Sequence, residues 1–422
     1  MQANLQSGQK EAWVFTLKHG GDHHFLGCLG GVAGVIVQYA ELDSSPALGI
    51  NGLSSRGKST GLKVAAGAFG WPKLLKKDAS RGGLLHSLRS TDNSVEYLAE
   101  RSTGTFLGLD ETKHFKDPKK LQELIFMLAE GSGKNRSKAD ASQRETRYWS
   151  TFVMLTSEIA ISKVIEAAGE QAVVGFTARF ADINVDKYQT MSDANYKKLN
   201  KLISTHYGWI GPAFVRYVVE SGLSPEDVST AIDGKVQMLV NGEKEASALV
   251  SRSAHVFGLL WQVGEMLEAA GLLGEGSDCG GRIRKIWASY RLSEVAAVLD
   301  PAQSAIETLR HALRTRIGVD VHPTTGNEDK KSRASVAWYV PPDSSKAFPE
   351  GQPPVEFYVP KDELVKLAGG TVGVGPLREA LEAVGVLKRP DKKKLVYHQY
   401  VPKVGAVNAY RLIFGGVEEE SA

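Results

Sequence analysis

The sequence predicts an α/β fold: a parallel sheet covered by helices, then a helical region, then a small C-terminal domain. In the first 190 residues, short apolar runs alternate with segments of helical periodicity, the order that builds a parallel sheet. Residues 193–273 have helical patterns throughout. A polar stretch at 323–332 marks a composition break. We therefore expect an α/β core at 1–190, a helical region at 191–320, a linker at 321–332 and a further domain at 333–422.

Length and composition exclude several classes of protein. The chain has 422 residues and a net charge of +3, so its overall charge does not indicate a polyanion as partner. Two cysteines, Cys28 and Cys279, are too few for a disulfide framework. The sequence has neither an apolar stretch of membrane-spanning length nor an export signal at its N-terminus. We expect a cytoplasmic protein with no membrane partner.

Residues 52–59, Gly-Leu-Ser-Ser-Arg-Gly-Lys-Ser, fit the phosphate-loop pattern G-x-x-x-x-G-K-[ST] at every specified position. An apolar run at 47–50 precedes the loop, and a helical pattern at 60–69 follows it. Backbone N–H groups of such a loop face phosphate, the lysine reaches the β- and γ-phosphates, and the hydroxyl holds Mg²⁺. We expect ATP and Mg²⁺ as cofactors. The expected nucleotide-binding residues are Gly52, Ser54, Ser55, Gly57, Lys58, Ser59 and Thr60.

Two further apolar runs end in polar residues suited to the same chemistry. The run at 104–109 ends in Asp110 and Glu111, which would hold Mg²⁺ and polarise the attacking water. In the other reading they are solvated turn acids after a core strand. The run at 149–156 ends in Ser157, which can contact the γ-phosphate or the water. Residues 176–180 form another strand candidate, with Arg179 in its middle.

Positive charge is concentrated in two places. Lys134, Arg136 and Lys138 lie in a Gly-Lys segment that reads as a basic hairpin or loop, because the spacing of a second phosphate loop is missing. A second run, at 388–394, includes Lys392, Lys393 and Lys394. It falls in an order of helix, helix, strand, turn and strand, which predicts a winged helix whose basic turn touches phosphates. In the other reading this is a small capping domain with a solvated lysine turn.

Seven segments together resemble the domain-of-unknown-function 927 family, P-loop ATPases often carried on mobile genetic elements. The resemblance covers roughly residues 13–320, and the matching segments are GLSSRGKST, RSTDNSVEYLAERSTGTFLGLDE, AEGSGKNRSKADASQRETRYW, TFVMLTSE, GFTARFADI, THYGWIGPAFVRYVVE and SRSAHVFGLLWQVGEMLEAAGLL. That family is similar to the MCM-like and superfamily 3 branches of the AAA+ helicases. The resemblance implies an AAA+-type ATPase domain with a helical lid.

The resemblance also implies roles for single residues. Arg179 resembles the arginine that reaches a neighbouring subunit's γ-phosphate, unless it forms an edge-strand salt bridge. Arg252 holds the position of a lid arginine that contacts nucleotide, unless it is an ordinary surface residue. Lys134 and Arg136 resemble the hairpin that grips DNA in the pore of ring helicases. Thr156 and Ser157 fall where related helicases often have an Asn, and Ser157 substitutes for it only in part.

These residues lead to an expected function and an alternative. The chain is expected to be an ATP-dependent, ring-forming DNA helicase or translocase for replication of a mobile element. Its expected partners are single-stranded or forked DNA, further copies of itself in a hexamer, and a separate primase or DNA-loading protein. The alternative is an ATP-driven regulator or remodeller of a protein partner, with minor DNA contact. A third reading is a DNA-binding protein with a vestigial ATPase, which the complete loop and acid motifs disfavour.

Overall fold

The structure is a computed structural model. The residues that it describes are 2–42, 44–73, 83–87, 92–110, 117–134, 146–167, 174–186, 191–240, 248–274, 276–293, 295–299, 301–325, 335–341, 356–370, 372–391, 394–402 and 404–414. The chain divides into two compact units, Met1–Leu299 and Asp300–Ala422. The finer division at 190/191, 320/321 and 332/333 stays a prediction. In the described part of the chain, no helix has the length and apolar character needed to cross a membrane.

The first unit is built on a parallel sheet. In the described residues its strands are β1 (Ala47–Asn51), β2 (Leu85–Ser87), β3 (Phe106–Asp110), β4 (Phe152–Ser157) and β5 (Phe180–Asn184). Their order across the sheet is β2-β3-β4-β1-β5, and every pairing is parallel. The carboxyl ends of all five strands therefore meet at one edge of the sheet.

Helices alternate with these strands and continue after them. Those that precede or separate the strands are α1 (Gln2–His19), α2 (Asp22–Tyr39), α3 (Lys58–Ala66), α4 (Asp92–Arg101), α5 (Pro118–Glu130), α6 (Ile161–Ala167) and α7 (Val174–Thr177). The helical region comprises α8 (Asp193–Thr205), α9 (Ile210–Glu220), α10 (Pro225–Val240), α11 (Ala248–Ala269) and α12 (Cys279–Arg291), followed by a short 3-10 helix, Ala296–Leu299. The predicted α/β order and the helical segment that follows are both present.

Side chains of the strands alternate between two cores because successive residues of a strand face opposite sides. Leu48, Ile50 and Met154 pack into a core shared with α2, α3 and α8–α12. Val153 and Leu155 face the other side and pack with α4, α5 and α6. Both faces of the sheet are thus covered, as parallel sheets require.

Helix α2 contains glycines because it packs very closely on α3. A Cβ atom added at Gly27 would lie 2.4 Å from the carbonyl oxygen of Gly61, and one at Gly31 would lie 2.6 Å from that of Ala65. Both neighbours are backbone atoms, which cannot rotate away. The absence of a side chain at positions 27 and 31 therefore permits the close approach of the two helices.

The second unit has its own core and a sheet of mixed direction. Its helices are α13 (Pro301–Thr315), α14 (Lys361–Leu367) and α15 (Val374–Ala383). Its described strands are β6 (Val321–Pro323), β7 (Ala337–Tyr339), β8 (Glu356–Pro360), β9 (Leu387–Lys388), β10 (Tyr397–Val401) and β11 (Gly405–Ile413). The order is β10-β11-β8-β7-β6, with β9 also paired to β11. Helix α13 packs in this core.

The expected position of the basic run is corrected by the strand register. Strands β9 and β10 both pair antiparallel with β11, at Arg411–Leu412 and at Gly405–Ala409 respectively. Strands β9 and β10 thus lie along one edge of β11 and do not pair with each other, so they are not the two strands of the expected wing. The strands that follow each other and pair are β10 and β11, where Val401 is opposite Gly405. Because β11 is long enough to pair with both segments, the chain returns to the same edge after the run.

Candidate functional site

A loop joins β1 to α3 and has a backbone that curls on itself. Gly52, Ser55 and Gly57 all have positive φ, at 142°, 65° and 85°. A positive φ favours glycine, and alternation of left- and right-handed residues turns successive N–H groups toward one point. The loop ends at Lys58, the first residue of α3, so the positive end of that helix lies beside the same N–H groups.

Lys58 is largely buried within this loop. Its ammonium group donates to the carbonyl oxygens of Gly52 at 2.5 Å and Leu53 at 2.7 Å. A buried ammonium needs such acceptors because its desolvation is costly. The side chain is thus held over the concave side of the loop, within reach of a bound anion.

Two hydroxyls converge on the carboxylate of Asp110, the last residue of β3. Ser59 Oγ donates to Asp110 Oδ1 at 3.0 Å, and Thr156 Oγ1 donates to the same oxygen at 2.5 Å. The strand order explains this meeting, because β4 lies between β1 and β3. The contact of Thr156 with Asp110 was not predicted, and the predicted contact of Ser157 with the γ-phosphate or the water stays a prediction. The signal for Thr156 was its place one residue before the polar strand end.

These residues line a cavity of about 290 Å³. Its walls are Ser54, Ser55, Arg56, Gly57, Lys58, Ser59, Thr60, Asp110, Thr156, Ser157 and Glu158. Glu158 also accepts a hydrogen bond from Ser54 Oγ at 2.8 Å, so the end of β4 contacts the loop directly. A second cavity, of about 690 Å³, shares Ser59 and Asp110 with the first and continues past Lys63, Trp71 and Ile203.

The far side of the loop is supported by Asp186, just after β5. Its carboxylate accepts from the Leu53 N–H at 2.8 Å and lies 3.6 Å from Arg56 Nε. Asn184 accepts from the Asp186 N–H at 2.9 Å. Asp186 and Asn184 were missed by the sequence analysis, because nothing in their local pattern connects them to a loop some 130 residues earlier.

Two neutral histidines lie behind the loop. A Cβ atom added at Gly57 would lie 2.1 Å from Tyr196 Oη and 2.8 Å from His24 Nε2. These two side chains therefore pack directly against the loop and leave no space for a side chain at position 57. Burial lowers the pKa of His23 to about 4 and lowers the pKa of His24 well below its usual value. At neutral pH neither imidazole is charged, and the positive charge of the site comes from Lys58 and Arg56.

Arg179 and Arg252 lie at the other edge of the sheet. Arg179 directly precedes β5 and is not inside a strand, which corrects the expected strand at 176–180: α7 and a turn occupy most of that segment. Because Phe180 pairs with Ala47 while the loop follows Asn51, Arg179 is about 15 Å from the loop along the strands.

Both arginines line one cavity of about 510 Å³, together with Glu130, Asp233 and His255. The guanidinium of Arg179 lies 5.1 Å from the ring centre of Phe126. Arg252 is exposed on α11 and does not line the cavity beside the loop. The resemblance implied a nucleotide contact for Arg252 as a lid arginine; the structure places Arg252 beside Arg179, and the nucleotide contact stays a prediction.

Lys134 directly follows a short antiparallel pairing of two segments. Ser132 and Tyr148 form an antiparallel bridge, and the Gly133 N–H donates to the Arg147 carbonyl at 2.8 Å. The ammonium of Lys134 lies 3.4 Å from the carboxylate of Glu123. An ion pair, half exposed to solvent, thus engages the residue that was expected to contact DNA.

Several predicted residues lie outside the described part of the chain. They are Glu111, Arg136, Lys138, Lys392 and Lys393. Lys394 is described and exposed, and its N–H donates to Asp391 Oδ1 at 2.8 Å. Nearby, Arg389 forms two hydrogen bonds with Glu382, at 2.7 and 2.6 Å. That pair neutralises part of the basic run.

Comparison with known proteins finds a family model that matches part of the chain and solved structures that share its fold. Residues 2–148 match the model of a family described as a domain of unknown function, DUF927. The solved structures that match include "SCCmec type IV Cch - active helicase", with a TM-score of 0.56 and 15% sequence identity; the match covers 96% of this chain and 70% of that one. At that identity the likeness is one of fold. Among curated proteins, none matches the sequence.

Proposed function

We propose that this protein is an ATP-dependent DNA helicase or translocase that serves a mobile genetic element. The observation that carries the proposal is the hydrogen bond between Ser59 and Asp110, which joins a phosphate-type loop to the acidic end of a separate strand. A loop alone binds many anions, whereas a hydroxyl and a carboxylate beside it suit a nucleotide with its metal. The fold shared with a mobile-element helicase supports the same conclusion.

The residues present fit ATP with Mg²⁺. The curled loop supplies backbone donors for phosphate oxygens, and Lys58 supplies a positive charge beside them. Ser59 and Asp110 supply two oxygen ligands of the kind Mg²⁺ prefers, and phosphate and water complete such a shell. Mg²⁺, when bound there, neutralises negative charge that develops on the phosphate oxygens.

We assign separate roles to the polar ends of the strands. Glu111 directly follows Asp110 in the sequence and is proposed to orient and polarise the attacking water. Thr156 holds the Asp110 carboxylate in place through its hydroxyl. Ser157, which lines the same cavity, is proposed to contact the γ-phosphate. Each role is one of orientation, which is the main protein contribution to phosphoryl transfer.

Arg179 and Arg252 are proposed to act on a neighbouring copy. Both lie at the sheet edge opposite the loop, so neither lines the cavity beside the loop of its own chain. A second copy that sets this edge against its own loop would receive two guanidinium groups at the γ-phosphate. Repetition of that contact is head-to-tail, and it closes into a ring when the rotation permits. This arrangement supports the proposed AAA+-type ring, with α8–α12 as the lid.

Nucleic acid is proposed to bind the hairpin that begins at Lys134, and to bind without reading sequence. Lys134, Arg136 and Lys138 would contact backbone phosphates, an interaction that weakens as salt concentration rises. The second unit, with its order of helices, strands and basic run, is proposed to be a winged-helix-like domain. Lys392, Lys393 and Lys394 would add phosphate contacts there.

A second candidate is an ATP-driven regulator or remodeller of a protein partner. One observation favours it: Lys134 and Arg389 are paired with Glu123 and Glu382, so fewer charges are directed at a polyanion. The two candidates differ in how the ATPase responds to DNA.

The test is the ATPase rate of the full chain with and without single-stranded DNA at low salt. We expect DNA to raise the rate several-fold and Glu111→Gln to bind ATP without hydrolysing it. An ATPase rate that single-stranded DNA leaves unchanged would favour the second candidate. A chain that hydrolyses no ATP under either condition contradicts both.

A further inference from the structure

A buried carboxylate, Asp182, connects the two halves of the site. Asp182 is in the middle of β5 and only 2% of it is exposed. One of its oxygens, Oδ1, accepts from Asn51 Nδ2 at 2.7 Å; the other, Oδ2, accepts from the Ile161 N–H at 2.7 Å. Asn51 is the last residue before the loop, and Ile161 is the first residue of α6, four positions after Ser157.

The fold makes space for this carboxylate. Gly49 is the residue opposite Asp182 in the pairing of β1 with β5. A Cβ atom added at Gly49 would lie 2.5 Å from Asp182 Oδ1. Any side chain at position 49 would displace the carboxylate, so the glycine and the aspartate form a matched pair.

The connection reaches the loop by a second route. Asn184 Nδ2 donates to Asn51 Oδ1 at 2.9 Å, and Asn184 Oδ1 accepts from the N–H of Asp186. Asp186 in turn accepts from the Leu53 N–H in the loop. A chain of hydrogen bonds thus runs from α6 through Asp182 and the end of β5 to the loop. Within this chain Asp182 and Asn51 are buried, whereas Asn184 is exposed, and paired buried polar groups fix local geometry.

We propose that Asp182 is a positioning residue that keeps the phosphate loop and the polar end of β4 at a fixed spacing during ATP turnover. The inference rests on the proposed function. The loop and the end of β4 must approach the same phosphate group from two sides. Asp182 accepts from the Asn51 side chain, which precedes the loop, and from the Ile161 N–H, which follows β4. Asp182 lines neither of the two cavities beside the loop, so its effect is on alignment and thus on kcat more than on KM.

The pH dependence separates this role from a purely structural one. Burial raises the pKa of Asp182 to about 6, so the carboxyl is charged above that pH and protonated below it. When the carboxyl is protonated, one of its oxygens carries a proton and no longer accepts a hydrogen bond as the carboxylate oxygen did. The ATPase rate should therefore fall as the pH falls through about 6. Because the pKa is raised in the folded state, the same protonation favours folding. Activity and stability therefore change in opposite directions. The buried neighbour Tyr290, whose pKa is raised by its own burial and by the Asp182 charge, stays neutral throughout.

The experiment compares Asp182→Asn with the unchanged chain and with Asp227→Asn, an exposed aspartate on α10. The asparagine amide keeps the size and shape of the carboxylate. Its NH₂ group, however, faces one of the two groups that donate to Asp182, Asn51 Nδ2 or the Ile161 N–H. We expect kcat for ATP hydrolysis at neutral pH to fall about five- to a hundredfold, the range for an unsatisfied buried donor, with KM for ATP changed less than about threefold. Below about pH 6 the variant should lack the acid decline seen in the unchanged chain.

The outcomes are distinct. A variant with unchanged kcat and the same acid decline, in a chain that hydrolyses ATP, overturns the role of Asp182 alone. A variant with a lower kcat, a lower unfolding midpoint and an unshifted pH profile of the ATPase rate also overturns it. Loss of structure would then explain the lower kcat. A chain that neither binds nor hydrolyses ATP overturns the proposed function, and the inference with it.

Discussion

The Ser59 hydroxyl donates to the carboxylate of Asp110 across 3.0 Å, although the two residues are 51 positions apart in the sequence. Ser59 is in the first turn of α3 and Asp110 is the last residue of β3, so the fold of the parallel sheet makes this contact. Thr156 on the intervening strand donates to the same oxygen. A loop that suits phosphate and an acid that suits Mg²⁺ thus face one cavity.

Lys58 is expected to contribute most of the charge that holds the nucleotide. Lys58→Ala removes hydrogen bonds from a charged donor, worth roughly 1.5–3 kcal/mol, so the Kd for ATP should rise about 10- to 150-fold. Calorimetric titration with ATP measures this. Lys201→Ala, an exposed lysine on α8, is the control and should leave the Kd unchanged. Equal effects in the two variants would mean that Lys58 is not at the nucleotide.

Arg179 is expected to affect the rate of ATP hydrolysis and not the binding of ATP to its own chain. Arg179→Ala should lower the ATPase rate by about 10³- to 10⁵-fold, the range for an arginine supplied to phosphoryl transfer. The Kd for ATP should change little, because Arg179 is at the opposite sheet edge from the loop. Arg216→Ala, an exposed arginine on α9, is the matched control. An Arg179→Ala protein with an unchanged rate would remove the need for a neighbouring copy.

Lys134 is expected to couple hydrolysis to DNA. Lys134→Ala should leave the DNA-free ATPase rate nearly intact, abolish strand displacement, and reduce the salt dependence of DNA binding by about one phosphate contact. Lys163→Ala is the control, because Lys163 is similarly exposed and also paired with a glutamate. If basal hydrolysis and unwinding fall equally, Lys134 acts through the fold and not through DNA.

The contact of α2 with α3 is expected to be sensitive to a single methyl group. Gly27→Ala places a carbon against the backbone of Gly61 and should destabilise the protein by about 1–3 kcal/mol in urea unfolding. Gly234→Ala on α10 meets nothing within 4 Å and should stabilise it by about 0.5–1 kcal/mol. Matched losses in both variants would contradict the close approach of the two helices.

Sequence patterns predicted features that are local and missed those that depend on pairing. The loop and the acid at the end of β3 follow from short motifs. The segment at 176–180 has strand-like composition, yet a helix and a turn occupy most of it, because β5 begins at Phe180. The contacts of Asp182 with Asn51 and Ile161 depend on which strands are neighbours, and no local pattern encodes that order.

The central claim is that two copies build each hydrolytic site, one with the loop and acids, the other with Arg179. The most direct measurement is to mix Lys58→Ala with Arg179→Ala protein, each almost inactive alone, and to follow the ATPase rate of the mixture. We predict that activity returns, because an intact loop from one variant can meet an intact arginine from the other. A mixture that forms mixed oligomers and stays as inactive as its components would contradict the claim.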